Sequence, residues 1–430
     1  MTSEERKAAL STFIAGHQPE MTGITITYRG ERRKFNAYSV PLEILTYNPY
    51  NGRIGAEVKS YERQNHVLDP NNPDDVVIIE QFLWESKVDA NQATMKSLLN
   101  NHQEKFGIVT SDGMIIDGNR RASLLNRLYR DETIPLSKRE HTQYFLCIVL
   151  PEDATKKEIL KLETTYQMGE DAKVDYGPIE KYLKAKDLLG EGFSEQDIAE
   201  FMGIKKSDVS SYIRIMKLMD EYLDYYGYTG IYTMLGDHED SFIKLEAALK
   251  GYRGGNVSSM WGYDAEADVS DLKQVAFDYI RFGGLDQTLF RDIIRQPKRN
   301  NLDSSFFANE QIWRSFSDRH FEIVGSVTEE PVDQLRAEHP QADMKRLLRS
   351  RDEEWRSAVG QRMIENFNRS QDQLQNKRQA AEPLKLLERA ISALQSIDTT
   401  QEEFVSSQEV KNQLEKLSRL VAAIKSEAEE

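Results

Sequence analysis

The chain has one cysteine among its 430 residues and no long hydrophobic run. That cysteine, Cys147, rules out an intramolecular disulfide framework and a cysteine-based zinc site. It lies in the apolar run 144–149, which is typical of a buried strand, so we expect an inert thiol. No stretch approaches the roughly 18 apolar residues of a membrane-spanning helix. Segment 1–16 lacks a signal-peptide core and predicts an amphipathic helix, so a cytoplasmic protein without a membrane partner is expected.

The chain also has fewer basic than acidic residues. The 56 lysines and arginines face 71 aspartates and glutamates, which gives a formal net charge of −15. This balance argues against a protein that coats nucleic acid over its whole surface. It still allows DNA binding through one local basic face.

Hydrophobic periodicity divides the chain into a mixed N-terminal part and a helical remainder. Segments 24–28, 35–40, 114–116 and 144–149 predict strands. From Pro151 onward the pattern is almost wholly helical. The expected fold class is therefore α+β, followed by an all-α part. We place the domain boundaries at 1–150, 151–227, 228–330 and 331–430.

Segment 194–217 has the pattern of two short helices around a turn. Gly203 supplies the turn, where a positive φ costs glycine little. Ser207 is expected to cap the second helix. Small hydroxyls with arginine and lysine suit a recognition helix that enters a major groove of double-stranded DNA, although an ordinary hairpin with a solvated basic face would look the same. The candidate DNA-binding residues are Lys205, Lys206, Ser207, Ser210, Ser211, Arg214 and Lys217.

A second motif runs from a predicted strand through Asp117-Gly-Asn-Arg-Arg into a predicted helix. Glycine at such a turn lets the backbone approach an anion, and the helix N-terminus adds free N–H donors. Two adjacent arginines add phosphate donors. The motif is a candidate triphosphate cradle, and the alternative is a capped helix with solvated arginines.

Other segments carry structural expectations. The segment Gly30–Arg33 is expected to be a hairpin turn, and Asp237–Asp240 a loop or a helix cap. We expect the aromatic residues of 261–290 to pack in a core rather than to stack on bases. Apolar residues recur at helix spacing over 384–394 and 414–424. These two helices predict a homo-oligomer or a protein partner through the C-terminal half. The alternative is that they bury each other, or dock on residues 228–330, within one chain.

Four segments resemble the ParB family of chromosome- and plasmid-segregation proteins, in the family's order. They are VPLEILTYNPYNGR (Val40–Arg53), IIDGNRRASLLNRL, LETTYQ followed by DYGPIEKYLKAKDLL, and FSEQDIAEFMGIKKSDVSSYIRIMKL. The resemblance covers roughly residues 38–223. It implies a ParB/sulfiredoxin-like N-terminal domain, then a helix-turn-helix domain and a helical C-terminal region. It also implies a protein that binds CTP and Mg²⁺ and closes as a clamp on DNA.

The resemblance assigns residues to the nucleotide and the metal. The nucleotide-binding candidates are Asn51, Arg53, Gly118, Asn119, Arg120 and Arg121. Glu163 falls where the family has a glutamate, and is the candidate metal ligand and catalytic carboxylate. Thr164 replaces an asparagine that helps to hold the metal in the family. Asn119 stands where sulfiredoxins have their catalytic cysteine, which excludes that activity.

Three functions remain open at this point. The favoured one is a DNA clamp or adaptor regulated by a nucleoside triphosphate, CTP or ATP with CTP favoured, in plasmid, phage or chromosome maintenance or in defence. A second is a metal-dependent DNA nuclease or a nucleotide-hydrolysing enzyme that uses Glu163, Glu170 or Asp171. A third is a scaffold that has lost nucleotide binding.

Overall fold

The computed structural model describes residues 1–168, 177–255, 257, 261–298, 302–340, 342–400, 404 and 406–429. Its N-terminal part contains a six-stranded mixed sheet in the order β1-β2-β6-β4-β5-β3. The strands are β1 Met21–Tyr28, β2 Glu31–Pro41, β3 Thr46–Tyr47, β4 Gly107–Val109, β5 Met114–Asp117 and β6 Tyr144–Val149. The β3–β5 and β4–β6 pairs are parallel, and the other neighbouring pairs are antiparallel.

Six helices accompany these strands. They are α1 Ser3–Gly16, α2 Gly55–Gln64, α3 Pro73–Glu85, α4 Val88–Asn101, α5 Asn119–Arg130 and α6 Leu136–Arg139. One apolar core contains Val40, Leu124, Phe145 and Cys147. Cys147 has no solvent exposure and burial raises the pKa of its thiol, so the expectation of a buried cysteine is confirmed.

The rest of the described chain is helical. Its helices are α7 Lys156–Met168, α8 Pro178–Gly190, α9 Glu195–Met202, α10 Lys206–Tyr225, α11 Glu239–Arg253, α12 Ala267–Phe282, α13 Gln287–Ile294, α14 Glu310–Gly325, α15 Val332–Glu338, α16 Met344–Gln395 and α17 Gln408–Glu429. Helix α7 contributes Leu162 to an apolar cluster with the sheet residues Ile108 and Ile148. The helical part of the chain therefore begins with a helix, α7, that packs directly against the sheet. The prediction of an α+β part followed by helices is confirmed.

The aromatic residues of the helical part form its core, as expected. Phe277, Tyr279, Trp313 and Phe316 are almost fully buried in one cluster. Hydrophobic burial of this kind is the main force that holds helices together. In the part of the chain that the structure describes, no helix has both the length and the apolar character needed to span a bilayer.

Helix α16 has 52 residues and two different environments. Its first half is anchored in the helical core through Leu348, Trp355, Met363 and Phe367. Beyond Leu374 its apolar side chains are exposed: Leu384, for example, is 62% exposed. The second half of α16 therefore presents an uncovered apolar surface.

Candidate nucleotide and DNA sites

The turn between β5 and α5 has the geometry that the sequence motif predicts. Gly118 adopts φ +96°, and an added Cβ would lie 2.6 Å from the ring of Phe145. A side chain there would be strained by both the backbone conformation and the contact. Gly118 is the N-cap of α5 and has no side chain with which to cap the helix.

Arg121 bends back from α5 over this turn. Its Nη2 donates to the carbonyl of Phe106 at 3.2 Å and lies 3.2 Å from Asp117 Oδ2, while its Nη1 donates to the carbonyl of Lys105. Burial raises the pKa of the Asp117 carboxyl, and Arg121 and then Arg53 lower it. Arg53 therefore lies within electrostatic reach of the same carboxylate. Two of the predicted phosphate-binding arginines thus share one site.

Arg53 reaches this position because a set of asparagines holds its loop. Asn119 is buried, and its Oδ1 accepts a hydrogen bond from the backbone of Asn48 at 2.9 Å. Asn51 is also buried, and its Oδ1 accepts from the backbone of Arg53 at 3.0 Å. The side chains of Asn51 and Asn119 therefore position the loop. Our sequence reasoning missed Asn48, because an asparagine in a Pro/Gly loop is an ordinary turn signal.

Arg120 points elsewhere. Its described hydrogen bonds go to α4, with Nε donating to Asn91 and Nη2 to Thr94 Oγ1 at 3.3 Å. Consecutive helical residues project about 100° apart, so the two adjacent arginines cannot share one direction. The structure brings Arg53 and Arg121 together but directs Arg120 to a different partner.

Glu163 forms a buried ion pair. Lys184 Nζ on α8 lies 2.8 Å from Glu163 Oε2 on α7, and the two side chains are 7% and 1% exposed. Burial raises the pKa of Glu163, and Lys184 and the backbone amide of Gly52 offset part of that rise. The carboxylate of Glu163, predicted to hold Mg²⁺, is paired here with the side-chain ammonium group of Lys184.

No group of three or more metal-ligating side chains occurs in the described part of the chain. Glu170 and Asp171, the other carboxylates considered for phosphoryl chemistry, lie outside the described residues. Glu163 thus stays a prediction as a metal ligand and as a catalytic carboxylate.

The two-helix unit of 194–217 is α9 and the start of α10. Ser194 caps α9 in a reciprocal capping box with Asp197, and Gly203 ends it at φ +63°. Ile198 and Met202 of α9 pack with Val209 of α10 in one apolar cluster. Local chemistry therefore specifies both helix ends and the turn between them.

The expected cap of α10 was wrong by two residues. Lys205, not Ser207, is the N-cap, because the carboxylate of Asp208 accepts the backbone N–H of Lys205 at 3.2 Å. Lys205, Lys206 and Ser207 are all exposed at this end of the helix.

The remaining DNA-binding candidates on α10 differ in availability. Arg214 Nε lies 2.5 Å from Glu246 Oε1 on α11, so its charge is paired within the chain. Ser210 donates to Glu195 of α9. Ser211 is partly exposed and Lys217 is exposed. The most accessible positive charge therefore lies at the N-terminal end of α10.

Searches of family models, of curated proteins and of solved structures found no match to this chain.

The Glu163–Lys184 pair gives a pH-dependent prediction. Lys184→Met leaves the carboxyl buried without its cation, so the pKa of Glu163 in the folded chain should rise further. A raised folded-state pKa stabilises the fold at low pH, and that contribution is lost as pH rises above about 4.3, the ordinary value. Urea unfolding should therefore show that the free energy of unfolding of Lys184→Met falls below that of the unchanged chain. The difference should grow between about pH 5 and pH 8, toward about 3–5 kcal/mol.

Lys186→Met on the same helix is the matched control for Lys184→Met. Its partner Asp220 lies 2.6 Å away, and the lysine side chain is 41% exposed. Lys186→Met should lower the free energy of unfolding only slightly, and the decrease should not grow with pH. Adding Glu163→Gln to Lys184→Met should recover stability at the higher pH. Equal losses in the two lysine variants would contradict the assignment.

Proposed function

We propose that the protein is a ParB-like, DNA-binding clamp or adaptor regulated by a nucleoside triphosphate. The proposal of DNA binding rests on the two-helix unit of α9 and α10. Lys205 and Lys206 are exposed at the start of its second helix. A helix presented by its N-terminal end suits entry into a major groove. The resemblance of this segment to the ParB helix-turn-helix supports the same proposal.

The nucleotide part rests on the β5–Gly118–α5 turn. Arg121 and Arg53 supply guanidinium groups beside a helix N-terminus, a combination suited to phosphate oxygens. CTP is the favoured triphosphate, on the resemblance alone. Glu163 is the residue predicted to hold Mg²⁺, which would neutralise part of the triphosphate charge. Binding would bring a phosphate close to Asp117. Arg121 and Arg53 would then have to exchange part of their interaction with that carboxylate for contacts with the phosphate.

The assembly part rests on the C-terminal helices. Leu387 and Ile391 of α16 are 47% and 54% exposed, and Val421 of α17 is 55% exposed. Burying such side chains in a second copy would remove apolar surface from water. A symmetric dimer would also pair two DNA-reading helices and so lengthen the site that is read. We therefore propose a homodimer joined through α16 and α17.

For DNA, Lys205→Ala with Lys206→Ala should weaken binding to a mixed-sequence duplex and flatten its salt dependence. Each lost phosphate contact lowers the slope of log affinity against log salt by about 0.9. Fluorescence anisotropy across a salt series measures both quantities. Arg214→Ala should have a smaller effect, because Glu246 already holds that guanidinium.

The matched control for the DNA variant is Lys96→Ala with Lys138→Ala. It removes the same charge from exposed positions outside α9 and α10. If the two double variants behave alike, or if affinity and salt slope do not change, the N-terminal end of α10 is not the DNA-binding surface.

For the nucleotide, Arg121→Ala should abolish calorimetric binding of CTP or ATP in the presence of Mg²⁺. The control is Arg130→Ala at the other end of α5, whose guanidinium pairs with Glu80 at 3.0 Å. That variant should bind as the unchanged chain does. If the unchanged chain binds neither nucleotide at millimolar concentration, with or without DNA, the domain is a scaffold only.

For assembly, light scattering should give twice the 49.6 kDa mass of one chain. Leu387→Glu with Ile391→Glu should return the protein to a monomer, because burying these charges in an apolar interface is costly. Ser392→Glu with Gln395→Glu adds the same charge to polar positions of the same helix and should leave the dimer intact. A monomer under all conditions, with DNA and nucleotide included, would remove the clamp.

A further inference from the structure

A cleft of about 800 Å³ lies where the sheet domain, the end of α10 and the C-terminal helices meet. Arg63 and Gln64 of α2 line one side, and Asp224 and Tyr226 line another. Helices α12, α15 and α16 complete its walls. We name it the junction cleft. Its volume is typical of sites that hold a small molecule.

Several charged groups in and beside the junction cleft already have partners within the chain. Arg281 lies between Glu329 and Asp352, with N–O distances of 2.6 Å to each. Asp278 accepts a hydrogen bond from Tyr226 at 2.7 Å and lies 2.9 Å from Nε2 of His320. The carboxylates among these groups outnumber the one arginine, and each has a hydrogen-bond or ion-pair partner within the chain.

Arg351 has a different set of partners. Arg351 is 9% exposed, yet its guanidinium forms no ion pair within the described part of the chain. Nη2 donates to the carbonyl of Tyr226 at 2.6 Å, and Nη1 lies 3.5 Å from the carbonyl of Glu330. Its Nε is buried and has no hydrogen-bond partner among the described residues. A buried cation with an unsatisfied donor is costly, and an anion beside it would lower that cost.

Two further arginines at the rim follow the same pattern. Arg63 Nε donates to the carbonyl of Thr229 at 3.2 Å, and Arg336 Nη2 donates to the carbonyl of Gln64 at 3.1 Å. Neither forms an ion pair with a carboxylate of the described residues. Backbone carbonyls thus orient three guanidinium groups around one cleft without cancelling their charge.

Carboxylates also line the junction cleft, and they restrict what can bind. Asp224, Asp278, Glu329, Glu330 and Asp333 belong to its walls, and they outnumber the lining arginines by one. They would repel a polyanion such as a nucleic acid strand, whereas a small molecule can place one charged group against the arginines. We propose that the junction cleft binds a small oxyanion, a carboxylate or a phosphate, through Arg351, Arg63 and Arg336. This site is separate from the β5–α5 turn and does not depend on the proposed function.

The proposal is tested by calorimetry on the full chain with inorganic phosphate and with succinate, at constant ionic strength. At least one probe should bind saturably, and the better probe identifies the preferred oxyanion. Arg336→Ala and Arg63→Ala should each weaken that binding about tenfold, the effect of losing one charge-assisted hydrogen bond. Both side chains lie at the rim, so these variants should keep the fold, which circular dichroism verifies.

Arg349→Ala is the matched control, because this exposed arginine lies on α16 outside the cleft. It should bind the probe as the unchanged chain does. Three results would overturn the proposal: no saturable binding of either probe, an equal loss in Arg349→Ala and Arg336→Ala, or loss of binding in Arg121→Ala alone. The last result would place the anion at the β5–α5 turn instead.

Discussion

The buried ion pair between Glu163 and Lys184 joins the two halves of the molecule. Glu163 lies on α7, which packs against the sheet, and Lys184 lies on α8, which packs against α10. Separating two buried charges is strongly destabilising, because each would then be buried without a partner. The pair therefore fixes how the β5–α5 turn and the two-helix unit sit relative to each other. A ligand that drew Glu163 away from Lys184 would loosen that relation, which would connect the proposed nucleotide site physically to the proposed DNA-binding helix.

The positions of the β5–α5 turn and of the two-helix unit could be read from the sequence because their signals are local. Gly118 follows a strand, and Ser194, Asp197 and Gly203 mark helix ends within a few residues. The cap of α10 shows the limit of such signals. The sequence favoured the hydroxyl of Ser207 as the cap, but the helix begins earlier, where the carboxylate of Asp208 accepts the backbone N–H of Lys205.

The partners of the charged side chains could not be read from the sequence. Glu246 neutralises Arg214 from a helix 32 residues away, and Asn91 turns Arg120 toward α4. The junction cleft is a stronger case, since residues 63, 336 and 351 meet there without any motif. Only the packing of the helices determines such encounters, and no local pattern encodes them.

The net charge of −15 makes these encounters informative. In a chain with 71 acidic and 56 basic residues, a cation has many carboxylates available, and the structure shows arginines such as Arg29 and Arg281 using two each. A buried guanidinium that contacts carbonyls instead, as Arg351 does, is therefore not explained by a shortage of partners. The guanidinium of Arg351 lies over the ring of Tyr228, and it has no carboxylate partner among the described residues. An anion from outside the chain is the partner that this arrangement can still accept.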